Sequence, residues 1–188
     1  MYCISLKTSH PIADVRLKAA LNRWLPLSIA VLDCEEADID FHARYSCTSK
    51  EYIYKIWNTE VRNPFLDGYA LHYRYKLDED MLNSAAQAYV GTHDFTSFCT
   101  LDSREKGDMT RTVKAFSVTR EGNLVTMKVE ADGFLYNMVR IMVGTLLRIQ
   151  QGKIPVDGIA GIIEKKDRKF AGPTAQPCGL YLNRVNYD

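Results

Sequence analysis

Arg140 stands in the run Gly133-Phe-Leu-Tyr-Asn-Met-Val-Arg-Ile-Met-Val-Gly-Thr-Leu-Leu147, where its neighbours at helical spacing are mostly apolar or small. Taking a guanidinium out of water is costly unless an anion and hydrogen-bond acceptors meet it. A side chain of this kind, in such a run, is suited to holding a carboxylate or another anion in a fixed orientation. Two plainer readings stay open: the side chain snorkels to solvent, or it pairs with a structural carboxylate.

A second candidate is Phe41-His-Ala-Arg-Tyr-Ser-Cys-Thr-Ser-Lys-Glu-Tyr-Ile-Tyr54, in which Arg44 and Lys50 are interleaved with Phe41, Tyr45, Tyr52 and Tyr54. Aromatic faces stack on bases and the cations neutralise phosphates, so the composition suits RNA, although tyrosines on a strand also serve as core or edge packing. Arg104, Lys106, Arg111 and Lys114 crowd another region able to meet phosphate, or simply to form a solvated face. The four histidines have no metal-ligand spacing, and there is no glycine-rich phosphate loop. Neither a metal nor a nucleotide cofactor is expected.

These residues must be carried by elements that the periodicity outlines. Phe134, Leu135, Met138, Val139, Met142, Val143, Leu146 and Leu147 form a wide apolar helical stripe that stops at Gly152. Gly133, Asn137, Arg140, Gly144 and Arg148 fall on a second, narrow face, where two glycines would let another backbone approach while Asn137 and Arg140 point at it. Upstream, residues 1–6 and 29–34 read as strands around a helix over 15–24 that Pro26 ends. From Ser46 the order is a strand over 50–57, a strand over 68–75, a helix capped by Asp78 or Asp80 and closed by Gly91, and a polar loop over 91–98. A hairpin over 110–120 and 124–131 then leads to the Arg140 helix, a short helix over 158–165 and a last strand over 179–187. This predicts an α+β fold, an antiparallel sheet with helices packed on one face, divided as 1–45 and 46–188.

At 188 residues and 46% apolar the chain can bury a real core. No window approaches the length of an apolar membrane helix, and the five cysteines are scattered, so a cytoplasmic protein is expected. The formal net charge of +1 means that any polyanion-binding surface must be local.

Five segments, in order, resemble the tRNA pseudouridine synthase A family: Phe41-His-Ala-Arg-Tyr-Ser, Lys50-Glu-Tyr-Ile-Tyr54, Gly91-Thr-His-Asp-Phe-Thr-Ser-Phe98, Phe134-x-x-x-Met-Val-Arg140 and Ala171-Gly-Pro-Thr-Ala-x-Pro-x-Gly-Leu-Tyr-Leu182. The resemblance implies conversion of uridine to pseudouridine at positions 38 to 40 of the tRNA anticodon stem-loop, by a homodimer, without metal or organic cofactor. It implies that Tyr52 is the catalytic tyrosine lying against the target base and that Leu180 lies beneath it. Arg140 matches the arginine that pairs with the nucleophilic aspartate, keeping it ionised and aimed. The base must be flipped out to be reached, which is why apolar and aromatic walls are needed. Arg44, Lys50 and Arg111 are the cations expected on the RNA.

One departure is large. The family's nucleophile lies in a Gly-Arg-Thr-Asp-Ala-Gly-Val-His-Ala motif that these 188 residues do not contain, and Asp33, Asp38, Asp40, Asp94 and Asp132 do not sit in it. The expectation is therefore a truncated chain starting just after the catalytic loop and inactive alone, with Arg140 facing solvent, a bound anion or a substitute carboxylate. The alternative is a non-catalytic RNA-binding module of the same fold.

Overall fold

The computed structural model describes residues 2–100 and 107–187. The chain forms two compact units, Cys3–Ser46 and a larger one built from Cys47 onward. In the smaller unit the helix α1 (Asp14–Trp24) buries none of its residues. Asn22 ties it to the following loop, its carboxamide donating to the Val31 carbonyl at 2.9 Å and accepting the Val31 N–H at 2.8 Å. The strands expected over 1–6 and 29–34 do not form among the described residues. Ile4 and Leu32 are 77% and 67% exposed. Alternation gives such a segment an apolar side, but it becomes a strand only where a neighbour supplies the ladder hydrogen bonds.

The larger unit runs β1 (Cys47–Trp57), β2 (Leu71–His72), α2 (Glu79–Ala86), β3 (Gly91–Asp94), β4 (Thr110–Glu121), β5 (Leu124–Ala131), α3 (Met138–Gln150), α4 (Gly158–Lys165) and β6 (Leu180–Tyr187). Its sheet has the order β2-β1-β5-β4-β3, with β6 also paired to β1. Strand β1 is therefore the shared spine, bonded to β5 along Lys50–Trp57 and to β6 along Cys47–Tyr54. The expected antiparallel sheet is present with one exception, a two-residue parallel pairing of β1 with β2.

The strand expected over 68–75 shrinks to Leu71–His72 because Asn58 takes over the backbone beyond it. The Asn58 carboxamide donates to the carbonyls of Tyr73 and Tyr75, at 2.8 and 2.7 Å, and accepts the Leu77 N–H at 3.0 Å. The loop expected over 91–98 begins instead as β3, paired with β4 so that His93 lies opposite Arg111. A short polar edge strand is set by its neighbour's ladder and carries no hydrophobic alternation of its own. The Arg140 helix starts at Met138 rather than at Phe134.

The helices cover one face of the sheet. Tyr54, Ile56, Phe116, Val125, Met127 and Val129 from the strands share a core with Leu82, Ala86, Ile141, Met142, Leu146 and Ile159 from the helices. On β1 the residues facing that core are Tyr52, Tyr54 and Ile56, as the two-residue period requires. No helix among the described residues is long and apolar enough to cross a membrane.

Candidate functional site

The narrow face of α3 admits another backbone at Gly144, as a glycine there predicts, and the approaching segment is one whose own sequence does not advertise it. Residues 171–175 lie directly on Gly144, where an added Cβ would overlap the carbonyl oxygen of Pro173. A Cβ on Gly172 would come within 2.5 Å of the Gly144 carbonyl oxygen in return. Thr145 fastens the pair, its hydroxyl donating to the Ile141 carbonyl at 2.8 Å and accepting the Gly172 N–H at 2.9 Å. Gly133, expected on this same face, lies before the helix. A Cβ there would sit 3.4 Å from the Arg111 side chain.

The docked strap is what holds Arg140. The Ala175 N–H donates to the Arg140 carbonyl at 3.0 Å, and Arg140 Nε donates to the Ala175 carbonyl at 2.7 Å. Arg140 Nη1 donates to Asn137 Oδ1 at 2.9 Å. The half-buried guanidinium thus meets two neutral acceptors, and no carboxylate among the described residues lies within ion-pair distance of it. Of the three alternatives expected for Arg140, a substitute carboxylate is not found among the described residues. Backbone carbonyls carry no side-chain signature, which is why Ala175 was invisible in the sequence as a partner.

The strap continues to Gln176, whose carbonyl accepts the Tyr54 hydroxyl at 2.6 Å. Burial pushes the Tyr54 phenol far up, Cys178 adds to this, and the Arg140 charge pulls the other way. Tyr52, two residues earlier on the same face, remains half-buried, its ring edge-on to Phe134 at a centroid distance of 5.1 Å. Burial raises its phenol pKa as well. A phenol kept protonated can donate a proton or a hydrogen bond to a base placed against it. Leu180 faces Tyr54 across the β1–β6 ladder, so it shares the Tyr52 face one step along the diagonal.

Leu180 and Arg140 thus both reach the surroundings of Tyr54, Leu180 across the ladder and Arg140 through the strap, and Tyr52 lies two residues along the same strand face. Lys50 stands two residues before Tyr52, between Ala131 of β5 and Val185 of β6. Arg111 lies along Gly133, ahead of Phe134, and its Nη1 donates to the carbonyls of Asp108 and Thr110 at 2.9 and 2.6 Å. Arg44 belongs to the smaller unit, exposed, with its guanidinium 5.7 Å from the Tyr45 ring centroid. Lys114 reaches toward the Thr48 carbonyl at 3.5 Å, while Arg104 and Lys106 lie outside the described residues.

Residues 85–188 match the family model described as tRNA pseudouridine synthase. A tRNA pseudouridine synthase A of a Geobacillus species is 46% identical over 185 residues, covering 98% of this chain and 74% of the relative. Proteins of the same name from Acetivibrio thermocellus and Caldicellulosiruptor bescii are each 43% identical, covering 96% and 97% of this chain and 73% and 75% of themselves. With a family model matching more than half of its residues, and relatives of this identity aligned along nearly its whole length, the chain belongs to the tRNA pseudouridine synthase family.

Proposed function

We propose that the chain serves the isomerisation of uridine to pseudouridine at positions 38 to 40 of the tRNA anticodon stem-loop, as part of a cytoplasmic homodimer. In this reading Arg140 orients the nucleophilic aspartate, Tyr52 and Leu180 wall the flipped base, and Lys50, Arg111 and Arg44 meet phosphates. The observation that carries it is the state of Arg140, a half-buried guanidinium fixed by the Ala175 carbonyl and Asn137 with its charge matched by no described carboxylate. A fixed cation with no carboxylate partner among the described residues suits a site that aims an incoming carboxylate at a base.

The chain's 188 residues do not supply the family's aspartate motif. Three of the described aspartates outside it are engaged elsewhere: Asp94 with Lys166 and Thr96, Asp132 with the Thr112 N–H, and Asp33 with Lys18. By itself this polypeptide is therefore expected to bind RNA, in a salt-sensitive way, without turnover. The second reading is an RNA-binding module of the same fold without chemistry.

Tritium release from tRNA labelled at uridine C5 separates the two. The 188-residue chain should release none. Joined to the aspartate-bearing segment of the Geobacillus relative, it should release tritium, and Arg140→Ala should then lower kcat far more than tRNA affinity. Binding without release in the joined protein establishes the second reading, and equal turnover with and without Arg140 removes its assigned role.

A further inference from the structure

Asn137 occupies the N-cap of α3, with its carbonyl accepting the Ile141 N–H at 3.0 Å. An asparagine there ordinarily turns its side chain onto a free backbone N–H of the first turn. This one does not, and makes no side-chain cap hydrogen bond. Its φ is 62° and its ψ 7°, a left-handed conformation shared by only one other non-glycine residue, Lys166, among those described. Asparagine tolerates that region better than most residues, but the conformation still has to be held from outside.

Three contacts hold it. Asn137 Oδ1 accepts Arg140 Nη1 at 2.9 Å, and Nδ2 donates to Thr100 Oγ1 at 3.2 Å. The Thr100 N–H in turn donates to the Tyr136 carbonyl at 3.1 Å, pinning the peptide just ahead of Asn137. Arginine has only donors, so the carboxamide oxygen must face Arg140 and the amide nitrogen must face Thr100. The orientation of the side chain is set by its chemistry.

We propose that Asn137 is a positioning residue for Arg140, locking the guanidinium through a neutral acceptor so that its full charge stays available to a carboxylate. This rests on the reading of Arg140 given above. Its neutrality is central. An aspartate at 137 would hold Arg140 equally well and neutralise it with an ion pair, whereas glycine would keep the left-handed backbone and release the Nη1 end of the guanidinium, leaving only the Nε hydrogen bond to Ala175. The cap hydrogen bond is forgone for the sake of the side chain one turn further on.

The test uses the 188-residue chain labelled with ¹⁵N, observed at the Arg140 Nε–H and Nη–H signals. Rotation about the Arg140 Cζ–Nε bond should quicken roughly tenfold in Asn137→Gly, as loss of a hydrogen bond to a charged donor implies. It should stay slow in Asn137→Asp. Thr100→Val should give a smaller quickening in the same direction, and the Ala175 N–H signal should remain protected in all three. Unchanged rotation in Asn137→Gly, or equal quickening in Asn137→Asp, overturns the proposal. If the glycine variant does not fold, slow rotation in Thr100→Val does the same. Sodium acetate then serves as the carboxylate probe: it should shift the Arg140 signals in the wild type and roughly tenfold more weakly in Asn137→Asp. If acetate leaves Arg140 unmoved in the wild type while rotation responds to Asn137→Gly, the positioning stands and the carboxylate-holding role of Arg140 falls.

Discussion

Tyr52 and Tyr54 sit two residues apart on one face of one strand, yet they live in different regions of the molecule. Around Tyr54 everything is closed: the ring is fully buried, its hydroxyl is fixed to the Gln176 carbonyl, and the strap carrying that carbonyl is seated on Gly144 of α3. Around Tyr52 the packing stops at the edge of Phe134, and the ring stays partly in reach of solvent. The β1–β5 ladder runs through both residues in one register, and the β1–β6 register shifts just before Tyr52, so both tyrosines stay on the ladder. What differs is the strap. A rigid, sealed patch lies beside an open one, which is how a site holds reactive groups in place while still admitting a large substrate.

The comparison breaks most completely at Gly144. In Gly144→Ala the new methyl must displace the Pro173 carbonyl, and with it the Ala175 carbonyl that holds Arg140. The expected loss is about 3 kcal/mol or more, the scale of severe overpacking against backbone. Urea unfolding measures it directly. A variant as stable as the parent would mean that the strap is not seated as described, and the sealed region would lose its meaning.

The two tyrosines can be set against each other with a pair of smaller changes. Tyr54→Phe removes the hydroxyl bonded to Gln176 and should cost about 1 kcal/mol. Tyr52→Phe removes a hydroxyl with no hydrogen-bond partner among the described residues, and should change stability by no more than about 0.5 kcal/mol. Equal losses in the two variants would show that Tyr52 is as much a part of the scaffold as Tyr54.

The sealed region was legible in the sequence only on one side. The glycines expected on the narrow face of the Arg140 helix announce a close backbone approach, and Gly144, the one of them that lies on α3, receives it. The approaching segment could not be read, since residues 171–175 act through the Pro173 and Ala175 carbonyls. For the sheet, the hairpin of β4 and β5 and the alternation of β1 fixed the spine, because long elements with one buried face must declare it. Two short strands differ from expectation for opposite reasons, one in its length and one in its existence. β2 was cut to two residues by the Asn58 side chain, and β3 was formed by β4 despite a polar sequence. The strands expected over 1–6 and 29–34 have no ladder among the described residues. The roles of Tyr52, Leu180 and Arg140 came from the family resemblance, with the geometry adding how each is held.

A small, pH-dependent effect tests a fastening further out, where Asp94 at the end of β3 meets Lys166 after α4 at 2.9 Å. Burial pushes the Asp94 carboxyl up, but the Thr96 hydrogen bonds and the Lys166 charge outweigh it and hold the group below its ordinary value. The folded state therefore binds the proton less readily than the unfolded chain. Its contribution is present above the unfolded pKa, about 3.9, and fades as pH falls through the folded one. The pair is partly exposed, so Asp94→Asn should cost less than about 1 kcal/mol at neutral pH, and less again in high salt. As pH falls below about 4 the stability curves of parent and variant should converge. Because β3 leads through Phe95–Cys99 to Thr100, the residue behind Asn137, a gap that instead widened in acid would place Asp94 outside the set of contacts that keeps this side of the site closed.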